Sequence, residues 1–297
     1  MTPLRERPLR WLLTTACVLS LTQPTGAESP RKWQDAEAPA RGRAEAIGGY
    51  SAGCVRGAKP LPFSSKHHRV TRPERHRHFG HPVLIDYLQD LAKQAHAAGV
   101  GKVFVGDLSQ PRGGPAPNGH SSHQTGLDVD IWYRATKASA KARDSLVVPL
   151  IALSVVDRQQ KTLNHHWTPK VAELLRVAAS DARVARIFVN PVIKQQLCKT
   201  VQGDRTFLSR LRPWYGHDDH FHVRMECPAD NPLCKPQPPP SKEDGCDKLD
   251  YWLSDHEKAA RKRGQKRYQS TVGAKPPLPE ACMAVLSAGP AKIARAP

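Results

Sequence analysis

The sequence predicts an α+β domain with a small, mostly antiparallel sheet, flanked by helices and fastened by disulfides. Two long segments repeat their apolar residues with a helical period, and several short segments alternate apolar and polar residues. Helical and strand segments are interleaved, but the strands are few. A chain of 297 residues can bury one substantial core with a smaller appended part.

The first long helix is predicted to begin at Pro82, in the segment PVLIDYLQDLAKQAHAAG. Proline suits the first helical turn, and Gly99 is placed to end the helix. The apolar stripe of this helix consists of Leu84, Leu88, Leu91 and Ala95. The segment KVFVGDLS that follows predicts a short buried strand.

The remaining elements follow from the same periods. Residues 109–126 are rich in proline and glycine and predict a loop, and LDVDIWY after them alternates like a strand. The segment TPKVAELLRVAAS predicts a second long helix, with Thr168 as its cap and Pro169 at its first position. RIFVN and HFHVRM predict two further strands, and PVIKQQLC predicts a short helix.

Composition divides the chain into three regions. Residues 1–27 combine an arginine-containing start, a short apolar run and small residues before Ala27, which is typical of a cleaved signal peptide. The run is too short for an ordinary transmembrane helix, and we expect no integral membrane segment after the signal is removed. Residues 28–230 are predicted to form the folded domain with an N-terminal extension. Residues 231–297 form a proline-rich and basic C-terminal extension.

The cysteines agree with an exported protein. Cys17 would leave with the signal peptide, and six cysteines remain, which predicts three disulfides among 15 possible pairings. Spacing favours only one pair, Cys227 with Cys234. No cysteines have the CxxC spacing of a zinc or redox site.

The charge indicates which partners to expect. The net charge is +18, of which about +16 belongs to the chain after residue 27, and such a surface concentrates anions. No nucleic-acid-binding motif is present and aromatic residues are few, so nucleic acid is not the expected partner. For an exported basic protein, a cell wall or a membrane surface is the better expectation.

Two short segments hold residues with metal-ligand chemistry. In LDVDIW, Asp128 and Asp130 share one strand face, and in HFHVRM the side chains of His220 and His222 do the same. If these strands pair, His123, Asp130 and His222 can converge on one point. Two imidazoles and one carboxylate leave a coordination position open on Zn²⁺, which is typical of a catalytic site.

Each of these patterns alone is weak. A His-x-His in a surface strand is usually not a ligand pair, and His-x6-Asp is less specific still. Their joint occurrence, with each pattern at or along an alternating strand, favours a metal site.

Three segments carry a family resemblance, namely GHSSHQTGLDVDIW, RIFVNPVIKQQLC and RPWYGHDDHFHVRMECPAD. They resemble penicillin-insensitive murein endopeptidases, within a metallopeptidase group that includes lysostaphin-type and D-Ala-D-Ala peptidases. The likeness runs from about Gly48 to Cys282 and includes all six remaining cysteines. It implies disulfides that join Cys54 to Cys282, Cys198 to Cys246, and Cys227 to Cys234.

The resemblance also implies a ligand set. It places zinc on His123, Asp130 and His222, and His120 matches a position that contacts metal. His220 and His217 match active-site histidines that handle protons, but the sequence does not decide which is the base. Asp128 has two open interpretations, a carboxylate that orients a ligand imidazole and a solvated carboxylate.

One departure from the family pattern concerns additional metal. Some members carry Asp-x-x-His before the second long helix, where this chain has Asp157 followed by Gln160. We therefore do not carry a second metal site over to this sequence.

The resemblance implies a periplasmic zinc endopeptidase whose catalytic domain lies within residues 28–230. Its expected partner is peptidoglycan, in which metal-activated water would hydrolyse D-alanyl–meso-diaminopimelyl cross-links. The alternatives are a D-Ala-D-Ala carboxypeptidase or dipeptidase on the same scaffold, and a peptidoglycan-binding protein without turnover. A complete ligand set with an open position and two extra histidines argues against the last.

Overall fold

The computed structural model describes residues 30–117, 120–134, 151–159, 161–254 and 277–291. The predicted signal peptide, 1–27, and the basic run at 258–267 lie outside these residues. Within them, no helix is long and apolar enough to cross a bilayer.

Helices and strands are interleaved along the described chain, as the sequence predicts, but the strands between residues 45 and 80 were not predicted. The strands are β1 (Glu45–Gly49), β2 (Ala52–Arg56), β3 (Lys59–Pro60), β4 (His68–Val70), β5 (Phe79–Gly80), β6 (Val103–Val105), β7 (Asp128–Trp132), β8 (Val156–Asp157), β9 (Thr162–Leu163), β10 (Val184–Val189), β11 (Leu211–Pro213) and β12 (His220–Met225). The helices are α1 (Pro30–Gln34), α2 (Pro82–Ala97), α3 (Pro169–Ser180), α4 (Pro191–Thr200), α5 (Leu249–Leu253) and α6 (Glu280–Ser287), with short 3₁₀ turns at Pro73–Arg75 and Thr206–Arg210.

The main sheet has six strands in the order β11-β10-β12-β7-β6-β4. Its three inner pairings are antiparallel, and the outer strands β11 and β4 pair in parallel with their neighbours. The α+β class and the mostly antiparallel sheet are therefore confirmed. Three two-stranded sheets accompany it: β1 with β2, β3 with β5, and β8 with β9.

Alternation decides which face of the sheet is buried. Val129 and Ile131 of β7 and Phe221 and Val223 of β12 are fully buried in the main core. Since side chains two residues apart share a face, the aspartates and histidines between them lie on the opposite face. Helices α2 and α3 add their apolar stripes to the same core, and the Tyr87 hydroxyl donates to the carbonyl oxygen of Ala178.

The long helices begin and end where the sequence predicts. Helix α2 begins at Pro82 and ends at Ala97, and Gly99 after it adopts a φ of 74°, a left-handed conformation that favours glycine. Thr168 occupies the N-cap position of α3, but its hydroxyl makes no capping hydrogen bond. The predicted cap position is thus confirmed.

Three disulfides fasten the fold, and all three pairings implied by the family resemblance are confirmed. Cys198 bonds to Cys246, and Cys227 to Cys234. The third joins Cys54 of β2 to Cys282 of α6, which sit in a separate small core with Trp33. Elements from both ends of the described chain therefore pack together.

The start of the C-terminal extension lies against the main sheet. The carbonyl oxygen of Pro238 accepts a hydrogen bond from Arg186 of β10, and the Gln237 side chain accepts one from Arg224 of β12. The domain boundary at residue 230 stays a prediction.

We predict that removing the Cys54–Cys282 disulfide destabilises the protein more than removing Cys227–Cys234. The first closes a sequence separation of 228 residues and the second a separation of 7. In the chain-entropy model these loops correspond to roughly 5 and roughly 2 kcal/mol. Urea unfolding of Cys54→Ala/Cys282→Ala and of Cys227→Ala/Cys234→Ala measures the difference. Equal losses in the two variants would show that loop length does not govern their stability.

Candidate active site

Pairing between β7 and β12 brings the predicted residues together. His222 lies directly opposite Asp130, and Arg224 lies directly opposite Asp128. All four side chains belong to the sheet face that points away from the main core. The convergence expected if these two strands pair is therefore present.

His123 reaches the same point from the loop before β7. Its φ is 66°, and its backbone N–H donates to Asp128 Oδ2 at 3.0 Å. On the ring, Nδ1 lies 2.9 Å from the carbonyl oxygen of Leu108, to which it must donate because a carbonyl only accepts. The neutral ring then has its lone pair on Nε2.

The ring of His222 is fixed in the opposite tautomer. Its Nε2 lies 2.9 Å from Asp128 Oδ1 and donates to that carboxylate, so Nδ1 carries the lone pair. Asp128 is fully buried and accepts a further hydrogen bond from Arg224 Nε at 2.7 Å. Of the two interpretations left open for Asp128, the solvated carboxylate is wrong, and the carboxylate that orients a histidine ring fits the contacts.

Three acceptor atoms consequently face one another. His123 Nε2 is 3.2 Å from His222 Nδ1, and each of these nitrogens is 3.4 Å from Asp130 Oδ1. Asp130 Oδ1 is buried and has no hydrogen-bond partner among the described residues. Three lone pairs that converge without a donor from the described residues leave a position that a positive charge would stabilise strongly. Two imidazoles and a carboxylate at this spacing fit a divalent cation.

His120 lies next to this group. Its Nε2 is 3.0 Å from Asp107 Oδ2 and 3.6 Å from Asp130 Oδ2. His120, His123 and Asp130 also offer ligand atoms that all lie within 4.8 Å of one another. Because its Nε2 already contacts Asp107, we consider His120 less ready to coordinate a cation than His123 and His222.

Asp107 is a site residue that the sequence patterns did not predict. Its carboxylate contacts His120 and also pairs with Arg75 at 2.9 Å and Arg77 at 3.1 Å. Its carbonyl oxygen accepts the backbone N–H of Asp130. A single aspartate thus fixes both His120 and the strand that carries Asp130. Its place directly after the strand segment KVFVG was the available signal.

The two histidines predicted to handle protons stand at the rim. His220 Nδ1 lies 2.5 Å from Asp219 Oδ1, and its Nε2 lies 3.7 Å from Asp130 Oδ1. The rings of His217 and His220 have centroids 5.2 Å apart. His217 Nδ1 points at the carbonyl oxygen of Tyr215, which leaves its Nε2 as the lone-pair nitrogen. Asp219 is a second contact that the sequence had not singled out.

The site attracts positive charge. Burial raises the pKa of Asp130, but opposing effects, of which the charge of His220 is the largest, hold that pKa well below its usual range. Burial lowers the pKa of His220, but the charges of Asp130 and Asp219 raise it to about 9. For His217, burial together with the charges of His222 and His220 lowers the pKa to about 4.

A cleft of about 560 Å³ runs over this face of the sheet. It exposes the rings of His120, His217, His220 and His222, so a substrate in it would meet both the acceptor cluster and the rim histidines. Its other walls include Phe188 and Trp214 from β10 and the end of β11, with Arg186, Arg224 and Gln237 at one side.

We predict opposite protonation states for the rim histidines in the metal-free protein. His220 should stay protonated through neutral pH and titrate near 9, whereas His217 should stay neutral down to about 4. A divalent cation beside Asp130 offsets that carboxylate's charge, so it should lower the pKa of His220. Imidazole ¹⁵N resonances, assigned with His217→Gln and His220→Gln, follow both titrations. A His217 resonance that titrates near 6.5 would contradict this.

Comparison with known proteins supports the resemblance seen in the motifs. A family model described as penicillin-insensitive murein endopeptidase matches residues 46–287. The penicillin-insensitive murein endopeptidase of Yersinia enterocolitica is 40% identical over 278 residues, which cover 93% of this chain and 97% of the relative. Those of Escherichia coli K12 and Klebsiella pneumoniae are 40% and 38% identical, each with 92% of this chain and 97% of the relative covered. This chain is therefore a member of the penicillin-insensitive murein endopeptidase family.

Proposed function

We propose that this murein endopeptidase is a zinc enzyme that hydrolyses the D-alanyl–meso-diaminopimelyl cross-links of peptidoglycan. The observation that carries the proposal is the convergence of His123 Nε2, His222 Nδ1 and the unpartnered Asp130 Oδ1 within 3.4 Å of one another. The hydrogens of both rings are committed to Leu108 and Asp128, so the three atoms are available together as ligands.

The donor atoms favour zinc among divalent ions. Imidazole nitrogens with one carboxylate suit Zn²⁺ better than Mg²⁺ or Ca²⁺, which prefer oxygen ligands, and peptide hydrolysis needs no redox chemistry. When bound, Zn²⁺ supplies Lewis-acid chemistry: it polarises the scissile carbonyl and lowers the pKa of a water molecule. His120 is the fourth candidate ligand, because its Nε2 lies 3.6 Å from Asp130 Oδ2.

His220 and His217 are proposed to hold and move protons beside the scissile bond. Asp219 fixes the His220 ring through Nδ1, which directs Nε2 toward the side of Asp130. The neutral His217 has its free Nε2 available to accept a proton, whereas a protonated His220 can donate one to the leaving amine or stabilise developing negative charge. The opposite pKa directions support this division of roles.

The basic surface suits a peptidoglycan substrate. A net charge of about +16 after residue 27 would attract the carboxylates of the stem peptides and concentrate the enzyme at the wall. Insensitivity to β-lactams is expected because none of the serines that line the cleft, Ser51, Ser121 and Ser122, is followed by lysine three residues later, as the SxxK nucleophile that these drugs acylate would be.

We also propose export to the periplasm. Three disulfides favour an oxidising compartment, and the sequence of residues 1–27 has the pattern of a signal peptide. In this proposal residues 28–230 hold the catalytic machinery, and residues 231–297 are an extension that disulfides tether to it.

We predict that His123→Ala, Asp130→Ala and His222→Ala each lose most of their zinc under chelator competition, because each removes one converging ligand atom. His120→Ala shows whether the fourth candidate contributes. Asp128→Asn should weaken zinc binding by about 10- to 100-fold, because the His222 ring loses the carboxylate that orients it.

Asp219→Asn is the matched control for Asp128→Asn. It removes the same charge beside a histidine, but that histidine is His220, which is not in the proposed ligand set. Zinc affinity should then change little. If His222→Ala retains zinc as tightly as the parent, the proposed ligand set is wrong.

The function itself is tested with purified cross-linked muropeptide dimers. We expect conversion of dimer to monomer that stops with chelator, returns with added Zn²⁺ and continues in benzylpenicillin. Loss of only the terminal D-alanine would indicate the carboxypeptidase, and binding without any product would indicate the wall-binding protein. Full activity in excess chelator, after metal loss is verified, would exclude the zinc mechanism.

The rim histidines should affect turnover without affecting the metal. His220→Ala should keep near-stoichiometric zinc and a normal circular dichroism spectrum, yet lose about 10²–10⁴ in kcat, the usual contribution of general acid–base catalysis. His217→Ala should lose less, since water can replace a group in a turn more easily. If His220→Ala arrives without zinc, His220 is a ligand; if it keeps full activity, it has no role in proton transfer.

A further inference from the structure

Two arginines face each other at one side of the catalytic cleft. Arg186 of β10 lies directly opposite Arg224 of β12 in the antiparallel register, and both line the cleft. Like charges placed directly opposite on neighbouring strands are destabilising. The repulsion between these two arginines can be offset by a carboxylate or another anion beside each guanidinium group.

Arg224 has that compensation. Its Nε donates to the buried carboxylate of Asp128 at 2.7 Å, and its Nη1 donates to Gln237 Oε1 at 2.9 Å. Its guanidinium also stacks over the ring of Tyr50 at 4.2 Å and lies 5.2 Å from the ring of Phe188. Every part of this side chain is occupied by the protein itself.

Arg186 has no comparable set of partners among the described residues. Its one hydrogen bond among the described residues runs to the carbonyl oxygen of Pro238, and its Nε is buried without a partner. Within the same part of the chain, no carboxylate lies at ion-pair distance from it. A half-buried guanidinium beside a second cation, with free donors and open cleft in front, has the features of an anion-binding group.

The position of Arg186 relative to the acceptor cluster follows from the strand register. Phe188, His222 and Asp130 form one row across β10, β12 and β7, and Arg186, Arg224 and Asp128 form the next row on the same face. Two residues along a strand correspond to roughly 7 Å, from a rise of about 3.3 Å per residue. An arginine side chain can reach across this interval.

The proposed substrate has a carboxylate at a matching place. In a D-alanyl–meso-diaminopimelyl cross-link, the scissile nitrogen is attached to a carbon that also bears a free carboxylate. That group remains on the amine product and lies only three covalent bonds from the scissile carbonyl carbon. It therefore enters the cleft together with the scissile bond.

We propose that Arg186 binds this carboxylate and thereby selects cross-links whose leaving amine carries an adjacent negative charge. This inference rests on the proposed function, since it assigns a substrate contact within the same cleft. Arg186 acts here as a specificity-determining residue, and Arg224, saturated by Asp128, holds the ligand geometry instead. The two guanidinium groups also have different partners in the exposed segment beside them, since Arg186 donates to the Pro238 carbonyl oxygen and Arg224 donates to the Gln237 side chain.

The test pairs two enzymes with two substrates. One muropeptide dimer carries the free carboxylate beside the scissile nitrogen, and the other carries a carboxamide there. Charge-assisted hydrogen bonds to arginine contribute enough to predict that the parent enzyme prefers the acid dimer by about 10- to 100-fold in kcat/KM. Arg186→Gln should lose that preference because its kcat/KM falls for the acid dimer only. Its kcat/KM for the amide dimer should stay within about threefold of the parent value.

Two controls accompany the measurement. Arg41→Gln removes one positive charge from an exposed arginine that does not line the cleft, so it should keep the preference. The thermal midpoint of Arg186→Gln should not fall, because the substitution relieves repulsion with Arg224. Equal losses on both dimers, or no loss on the acid dimer, would overturn the assignment.

A binding experiment separates this inference from the proposed function. Both dimers are titrated into the parent and into Arg186→Gln in the presence of chelator, where no turnover is expected. Tighter binding of the acid dimer to the parent by about tenfold or more, lost in the variant, supports the subsite even if neither dimer is cut. Failure of the parent to cut any dimer would refute the proposed function, while indifference of binding to the carboxylate would refute the role of Arg186.

Discussion

The direct pairing of His222 with Asp130 across β12 and β7 is the constraint on which the site depends. Because side chains alternate with a period of two, a slip of β12 by one residue would turn His222 into the core and bring Phe221 and Val223 to the cleft. Burial of the apolar residues on the other face prevents that slip, since each of them is fully excluded from solvent. The hydrophobic core thus sets the register, and the register places the polar groups.

Asp128 fixes the orientation of the His222 ring that this register places opposite Asp130. It is a fully buried carboxylate that accepts from the His222 ring, the Arg224 guanidinium and the His123 backbone. Burial raises its pKa, but Arg224 and His222 outweigh that effect and hold the pKa well below its usual range, so it stays ionised. Removal of one partner from such a buried ionic group is strongly destabilising, by about 3–5 kcal/mol. The same carboxylate therefore contributes to stability and to the orientation of both histidines.

Sequence patterns predicted those parts of the molecule that repeat regularly. The apolar stripe of α2 and the alternation in β7 and β12 each reflect a single period, and all three elements lie where the sequence places them. The contacts of Leu108 and Asp107 with the site histidines were not predictable in this way. The predicted strand KVFVGDLS ends in the structure at Val105, and both residues lie in the loop after it. Cys54 and Cys282 are 228 residues apart in the sequence, and spacing alone could not identify them as a disulfide pair.

The conformations of His123 and His217 show what the loops contribute. Their φ angles of 66° and 50° lie in the left-handed region, where a residue with a side chain is disfavoured by about 1–2 kcal/mol. Each is held there by a backbone hydrogen bond, from His123 N–H to Asp128 and from Asn190 N–H to the His217 carbonyl oxygen. The folded protein therefore bears this backbone strain. It also bears the repulsion among three acceptor atoms held close together. A cation that binds only the folded state adds stability as its concentration rises above its dissociation constant. The geometry that costs the fold stability is thus the same geometry on which the proposed cation site depends.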